Sequence, residues 1–344
     1  MNQILVDNPK KYDTLNGLRA IACIAIIMMH MAANNDYHIV GYWYNTVIPS
    51  FTDFVFLFMV LSAFGMCCGY LDAIQKGDIT PLSFYKRRYL KILPFFALLV
   101  VLDLILNYQD GSIPEAFADV TLLYGLFPNQ ISVIGVGWFL GLIFAFYLIF
   151  PFYSVLMTSK KIAWGALAIS IVMNHFCGTY FGLDRQNIVY SLCYFVMGGL
   201  IYLYRGEILR IPQWVGAMGL SLTIVLYYWI GASTITRILV SAAFIIVAIG
   251  LYERKASKIL DNKVLNFLGG ISLELYLSNM LVFRALEKVG ANSFIPADTI
   301  QYFVTVLASL FGTVIFVIVS KKILEIISKY IVRIYGVEKR KIQI

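Results

Sequence analysis

The stretch "LNGLRAIACIAIIMMHM", Leu15–Met31, decides the fold class of this chain. It is apolar enough to span a lipid bilayer, yet it contains Arg19 and His30, eleven residues apart. A charged side chain at the centre of a membrane helix costs about 3 kcal/mol on insertion scales, so such residues face a protein interior. Eleven residues make about three helical turns, which places both side chains on one face, about 16 Å apart. We therefore predict that this first span lines a polar interior at two depths.

The composition of the whole chain agrees with a membrane protein. Its 344 residues are 60% hydrophobic and 13% charged, and the mean hydropathy is +0.79. Soluble domains carry about 25% charged residues. No hydrophilic stretch is long enough to bury a separate core, so we predict one all-α, polytopic membrane domain over residues 1–344. Arg19 interrupts the first apolar run, and we expect that run to be retained as a helix rather than cleaved as a signal peptide.

Ten apolar stretches are long enough to be spans, because about 20 residues cross the hydrocarbon core. A further segment, "PEAFADVTLLYGLF" at residues 114–127, has the pattern of an amphipathic helix at the membrane interface. The ten predicted spans are residues 15–33, 47–71, 91–108, 136–157, 162–177, 187–204, 212–230, 235–252, 265–286 and 299–320.

The distribution of basic residues predicts the orientation, since cytoplasmic connections carry an excess of Lys and Arg. With ten spans, connections on one side of the membrane hold nearly all of the 27 basic residues. The exceptions on the other side are Arg185, Arg237, Arg284 and Lys288. We therefore predict that both termini are cytoplasmic. The net charge of +8 follows from this topology, and nucleic acid is not needed as a partner to explain it.

Cysteine usage gives no sign of a metal site or a disulfide framework. The five cysteines lie in or beside apolar segments, lack metal-ligand spacing and are odd in number. We interpret them as small packing residues, and we expect no metal. They are Cys23, Cys67, Cys68, Cys177 and Cys193.

Three acidic residues fall inside predicted spans. Asp53 and Asp103 reach a depth comparable to that of His30 on the next two spans. A carboxylate there could orient the imidazole, as in catalytic histidine pairs, or each aspartate could cap a helix end in the headgroup zone. Glu274 lies near the middle of the ninth span, where it could pair with Arg19 or line the same cavity.

A basic cluster precedes the third span in "FYKRRYLKILPFF". Two interpretations remain open for it. As a positive-inside anchor it would need no further role. As a phosphate clamp it would use Arg88 and Lys91, with Arg87 beside them, because residues three apart are neighbours on a helix surface.

Five of these stretches together resemble the acyltransferase-3 family of integral membrane acyltransferases. The first span has that family's arginine and histidine separated by ten residues, here Arg19 and His30. "FLFMVLSAFGM" resembles its motif of aromatic residues before Leu-Ser-Gly-Phe, with Ser62 in the serine position. "KRRYLKILPFF" resembles its basic motif Arg-x-x-Arg before a proline. "GWFLGLIFAFYLIFPFY" resembles a segment led by tryptophan, here Trp138.

The fifth stretch, "FLGGISLELYLSNMLVF", resembles a late helix reading Ser, then Tyr-Leu, then often His. The likeness covers nearly the whole chain in the expected order. The chain departs from the pattern at Ala63 for glycine, Lys91 for the second arginine, and Asn279 where histidine is frequent. We also expect it to lack the extracytoplasmic hydrolase-like domain that some members append, so such an activity would come from another protein.

The resemblance implies a carbohydrate O-acetyltransferase in the cell membrane, which we expect to be a bacterial cytoplasmic membrane. Acetyl-CoA on the cytoplasmic side would be the acyl donor, and an envelope or exported polysaccharide or glycolipid the acceptor. Membrane lipids and proteins of envelope polysaccharide assembly are the other partners to consider. His30 would be the general base on the acceptor hydroxyl or would carry the acyl group transiently, with Asp53 or Asp103 orienting it. Cofactor binding is assigned to Arg19, Arg87, Arg88 and Lys91, and the substrate cavity to Ser62, Trp138, Glu274 and Asn279.

Two other functions fit parts of the sequence. A transporter or flippase for a lipid-linked sugar would also need charges and aromatic residues inside the membrane, and 23 tyrosines suit a sugar route. Such proteins often have two matched halves with broken helices, a repeat that this sequence does not show. A non-catalytic partner in envelope assembly is the other alternative, and it would tolerate replacement of His30.

Overall fold

A computed structural model of the protein shows helices, most of them joined by short connections, in the part of the chain that it describes. The structure describes residues 12–122, 135–255, 257–290 and 298–334, and within these ranges there is no β-strand. The helices are α1 (Asp13–Ala33), α2 (Trp43–Gln75), α3 (Pro81–Leu106), α4 (Ser112–Thr121), α5 (Gly135–Leu156), α6 (Lys160–Tyr180), α7 (Ile188–Leu203), α8 (Arg205–Ile208), α9 (Gln213–Ile230), α10 (Thr234–Glu253), α11 (Lys263–Gly270), α12 (Ser272–Lys288) and α13 (Thr299–Ile334).

The prediction of an all-α, multi-pass membrane protein is confirmed. In the described ranges, eight helices are long and apolar enough to cross a membrane, or nine if the pair α11 and α12 is one bent span. Helix α7 is a shorter apolar helix of 16 residues. Each of the ten predicted spans lies on one of these helices or on the bent pair. The number of crossings and the cytoplasmic location of the termini remain predictions.

Some helix ends differ from the predicted spans. Helix α3 begins at Pro81 rather than at residue 91, because Thr80 caps it by accepting from the Ser83 N–H and proline fits the first helical position. The basic motif is therefore itself helical. Helix α13 continues to Ile334, well past residue 320. The amphipathic segment is found as α4, while residues 123–127 of that prediction lie outside the described residues.

The ninth predicted span is not one straight helix. Helices α11 and α12 are bent by 75°, and the Gly269–Gly270 pair lies at the break. A Cβ atom on Gly269 would overlap the backbone carbonyl of Asn16, and one on Gly17 would overlap the carbonyl of Leu260. The backbones of α1 and this connection are thus in direct contact, as small residues permit in membrane proteins. This close crossing positions α12 alongside the rest of α1.

The substitution Gly269→Ala is expected to destabilise the protein, because its methyl group has no space beside the Asn16 backbone. Overpacking of this kind costs about 1–3 kcal/mol. We expect the midpoint of thermal unfolding in detergent to fall by several degrees. Gly270→Ala is the matched control, since a Cβ at Gly270 meets nothing within 4 Å. Equal midpoints for the two variants would contradict the close crossing.

Helix α1 runs through the interior of the bundle. At its start, Thr14 Oγ1 donates to the Ala248 carbonyl of α10 at 2.7 Å. Near its end, the Met28 carbonyl accepts from the Tyr302 hydroxyl of α13 at 3.1 Å. We call the end of the bundle at which α1 begins the basic end, and this end is predicted to be cytoplasmic. The opposite end of the bundle, at which α1 ends, is called the far end. Helix α9, in contrast, has no buried residue and lies at the periphery.

Candidate active site

At the far end, α1 and α12 bring His30 and Asn279 together. His30 Nδ1 lies 3.0 Å from Asn279 Oδ1. Asn279 is fully buried, whereas His30 keeps part of its surface exposed. The late-helix asparagine, which stands where the family often has histidine, is therefore the direct partner of the predicted catalytic residue.

The amide of Asn279 determines which nitrogen of His30 carries the proton. Its Nδ2 group donates to the Tyr276 carbonyl of its own helix. The same group also donates to the Leu275 carbonyl, at 3.5 Å. A flipped amide would instead place its oxygen against these two carbonyl oxygens, which is unfavourable. The oxygen of Asn279 therefore faces His30, and Nδ1 must be the donor. Nε2 is then unprotonated in the neutral imidazole and can accept a proton.

Aromatic residues and one arginine surround this pair. The Tyr276 ring lies 6.4 Å from His30 and 5.6 Å from Phe139. Phe139 packs edge-on against Trp138, and the guanidinium of Arg185 lies 5.2 Å from the Trp138 ring centre. The far-end cluster, His30, Asn279, Tyr276, Trp138 and Arg185, therefore combines a base, a cation and an aromatic wall.

Neither predicted carboxylate orients His30. Asp53 Oδ2 accepts from Arg237 Nε at 2.8 Å and from the Tyr227 hydroxyl at 2.7 Å. Asp103 accepts from the Asn107 side chain, one turn further along α3, at 2.8 Å. The depth of both aspartates was compatible with His30, but their side chains point to other neighbours. The orienting group in the structure is an amide, Asn279.

At the basic end, Arg19 and Arg88 share one region of the interior. Arg19 donates to Asn16 Oδ1 at 3.1 Å, and its Nη2 atom is close to Gly65 of α2. The Arg88 guanidinium lies 4.4 Å from the ring centre of Tyr70 and 5.5 Å from that of Tyr147. Its Nε atom is buried and has no hydrogen-bond partner among the described residues. An unsatisfied buried donor of this kind marks a place where a ligand can bind.

Other predicted site residues also lie at the basic end. Lys91 follows Arg88 by three residues on α3, so the two are neighbours on that helix. Of the two alternatives for Glu274, the structure does not show the pair with Arg19: Glu274 is paired with Lys321 of α13 at 2.7 Å. Its place in the substrate cavity remains a prediction. Arg87 and Lys91 are both exposed, whereas Arg88 between them is half-buried. The basic-end cluster is Arg19, Arg88, Lys91, Glu274 and Lys321.

One face of α2 passes both clusters. Phe58, Ser62, Gly65 and Gly69 are spaced as neighbours on a helix, and all four keep part of their surface exposed. Phe58 packs against Phe139, which in turn contacts Tyr276 of the far-end cluster. A Cβ on Gly65 would lie 3.4 Å from Arg19, and one on Gly69 3.9 Å from Arg88. Ser62 therefore lies on an interior surface that connects the far-end and basic-end clusters.

Arg185 and Arg237 are functional candidates that the motifs did not identify. Arg185 donates to Thr52 Oγ1 at 2.8 Å besides its contact with Trp138. Arg237 holds Asp53. The sequence did contain a signal for them: both are among the four basic residues predicted to lie on the side of the membrane opposite the cytoplasm. Cations there are not explained by the positive-inside rule.

A helical membrane protein with these two clusters on one interior surface has the parts of a membrane-embedded enzyme. The family model described as "Acyltransferase domain", of the acyltransferase-3 family, matches residues 12–321. No curated protein and no solved structure matches this chain. The chain belongs to the acyltransferase-3 family and is a membrane acyltransferase.

Proposed function

We propose that the protein transfers an acyl group, acetyl in the simplest case, from acyl-coenzyme A at the basic end to a carbohydrate hydroxyl at the far end. The observation that carries this proposal is the exposed face of α2, which connects a cluster of cations with a histidine of defined tautomer. Along α1, Arg19 and His30 are about 16 Å apart, so a long donor is needed to reach from one to the other.

The basic-end cluster suits the donor. Arg88 offers a buried, unpaired Nε–H, and Arg19 and Lys91 add positive charge beside it. Charge-assisted hydrogen bonds of this type hold phosphate groups. The acyl-pantetheine arm would then follow Gly69, Gly65 and Ser62, where small side chains leave room along α2. With the basic end in the cytoplasm, the donor would bind from the side where acyl-CoA is made.

The far-end cluster suits the chemistry. His30 Nε2 takes the proton of the acceptor hydroxyl while the oxygen attacks the thioester carbonyl carbon. The tetrahedral intermediate carries a negative oxygen, which the positive charge of Arg185, held over Trp138 in the same cluster, would stabilise. The carbon–sulfur bond then breaks, the imidazolium returns the proton to the coenzyme A sulfur, and an ester of the carbohydrate remains.

A coenzyme A release assay tests the function directly. Purified protein in nanodiscs would be given acetyl-CoA, succinyl-CoA or a longer acyl-CoA with a panel of envelope glycans. We expect thiol release that depends on one class of glycan and is matched by an acylated product in mass spectrometry. Movement of a lipid-linked sugar across the membrane with no thiol release would instead establish the transporter alternative.

Arg88→Ala is expected to weaken acetyl-CoA binding about 10-fold to 100-fold, because a charged hydrogen bond contributes about 1.5–3 kcal/mol. Isothermal titration with a non-hydrolysable acetyl-CoA analogue measures the affinity. Arg87→Ala is the matched control, since Arg87 is the adjacent, exposed arginine of the same motif. Unchanged affinity in Arg88→Ala would assign the whole motif to membrane topology.

A further inference from the structure

A cavity of about 200 Å³ lies at the far end between α2, α9 and α10, apart from the His30–Asn279 pair. Its lining is largely aromatic and aliphatic, with a small set of polar side chains. The residues used below are Ser50, Asp53, Leu57, Ile224, Tyr228, Arg237 and Phe244.

The polar and apolar residues are separated along the length of this cavity. Ser50, Asp53 and Arg237 lie toward the far end, near the starts of their helix segments. Leu57 and Phe244 follow Ser50 and Arg237 by seven residues each, which places them about 10 Å closer to the bilayer centre. The cavity is therefore amphipathic, with a polar mouth and an apolar inner end.

The polar mouth offers both donors and acceptors at nearly zero net charge. Asp53 is paired with Arg237 through Nε, and Ser50 and Tyr228 share a hydrogen bond of 2.8 Å. Among the described residues, the two Nη groups of Arg237 have no hydrogen-bond partner. A free phosphate favours excess positive charge, whereas a neutral pair flanked by hydroxyl groups and aromatic rings matches the hydroxyl groups of a sugar.

Surrounding residues place the mouth at the level of the lipid headgroups. Trp229 is 81% exposed, and Tyr42 and Trp43 are also exposed beside the mouth. The ring centre of Tyr42 lies 6.4 Å from that of Tyr228, and the ring centre of Trp43 lies 6.0 Å from that of Phe51. Exposed Trp and Tyr mark the membrane interface. Because α9 has no buried residue, this wall of the cavity adjoins lipid.

The mouth is also connected to the far-end cluster. Asp53 follows Thr52, whose hydroxyl accepts from Arg185 Nη1 at 2.8 Å. Arg185 in turn lies 5.2 Å from the ring centre of Trp138. A molecule bound at Asp53 and Arg237 would therefore lie beside the residue that holds Arg185, a member of the far-end cluster.

We propose that this cavity binds a glycolipid or lipid-linked glycan from the leaflet at the far end. Its hydroxylated head would contact Asp53, Arg237 and Tyr228, and its alkyl chain would lie against Leu57, Ile224 and Phe244. This lipid would be the acceptor of the acyl group, a role that rests on the proposed function. It would approach His30 laterally, from the membrane.

Photolabelling in nanodiscs tests this site without requiring turnover. The probes are alkyl glycosides with a mid-chain diazirine, carrying glucose, galactose, mannose, rhamnose or N-acetylglucosamine, and a diazirine phosphatidylcholine serves for comparison. We expect at least one glycoside to label peptides containing Ile224 or Phe244. Ile224→Trp fills the cavity and should reduce this labelling at least fivefold. Val225→Trp, the neighbouring lipid-exposed position, should leave it unchanged.

Three results would overturn the inference: no glycoside labels these peptides, phosphatidylcholine labels them equally well, or both tryptophan variants behave alike. Labelling is independent of acyl transfer, so His30→Ala should still be labelled. Coenzyme A release with a free glycan but no labelling would remove the lipid site and leave the proposed function intact. Labelling of a glycoside that is never acylated would remove its role as acceptor.

Discussion

Replacing His30 with alanine is expected to lower the rate of acyl transfer about 10³-fold, the usual contribution of a general base. The reason is the geometry of the pair with Asn279, which leaves Nε2 free to accept the hydroxyl proton. Binding of acyl-CoA should be unaffected, because the basic-end cluster lies about 16 Å away along α1. Coenzyme A release at saturating donor measures the rate, and titration of the donor analogue measures the affinity.

The control for this variant is Met29→Ala, which removes a half-buried side chain from the adjacent position without touching the far-end cluster. Its rate should stay near that of the unmodified protein.

In the unmodified protein, the rate should fall as the pH is lowered, because a protonated imidazole cannot accept a proton. An inserted His30→Ala protein with the original rate would refute the role of His30.

Hydrophobic length and the spacing of two residues were enough to predict much of the fold. Each run of about 20 apolar residues coincides with a helix or with the bent pair. The physical reason is that an α-helix satisfies all of its backbone hydrogen bonds within one segment, as the bilayer interior requires. The spacing of Arg19 and His30 placed both on α1, and both have polar neighbours in the structure. Their exposure to substrates remains a prediction.

Partners across the bundle could not be obtained in the same way. Depth along a helix follows from sequence number, but rotation about the helix axis and the arrangement of neighbours depend on packing. Asp53 has the depth expected of a partner for His30, yet it points toward α9 and α10 and pairs with Arg237. Glu274 likewise pairs with Lys321, which belongs to the part of α13 beyond the predicted span.

The bend between α11 and α12 shows the same limitation. Two consecutive glycines in an apolar run are compatible with a continuous helix or with a break, and hydropathy does not distinguish them. The break lies beside the contact of Gly269 with the Asn16 backbone, a tertiary interaction that hydropathy does not display. The sequence therefore predicts Asn279 as a cavity residue but not as the partner of His30.

Asn279→Leu is expected to lower kcat on the order of 10²-fold with little change in KM for acyl-CoA. Leucine fills a similar volume but cannot accept from Nδ1–H, so the imidazole loses both its orientation and its fixed tautomer. Asn279→Asp should retain more activity than Asn279→Leu, since one carboxylate oxygen can accept the same proton, although the other faces the carbonyls of Leu275 and Tyr276. Because a carboxylate also stabilises the protonated imidazole, the pH–rate profile of this variant should move to higher pH. Steady-state coenzyme A release across a pH range measures both effects.

Ser278→Ala separates this positioning role from general packing. Ser278 is as buried as Asn279, and among the described residues its hydroxyl donates only to the Glu274 carbonyl of its own helix. Its loss should leave the pH–rate profile unchanged. If Asn279→Leu and Asn279→Asp were equally impaired, with profiles like that of the unmodified protein, Asn279 would be a packing residue. Orientation of His30 would then have to come from the surrounding aromatic residues, chiefly Tyr276.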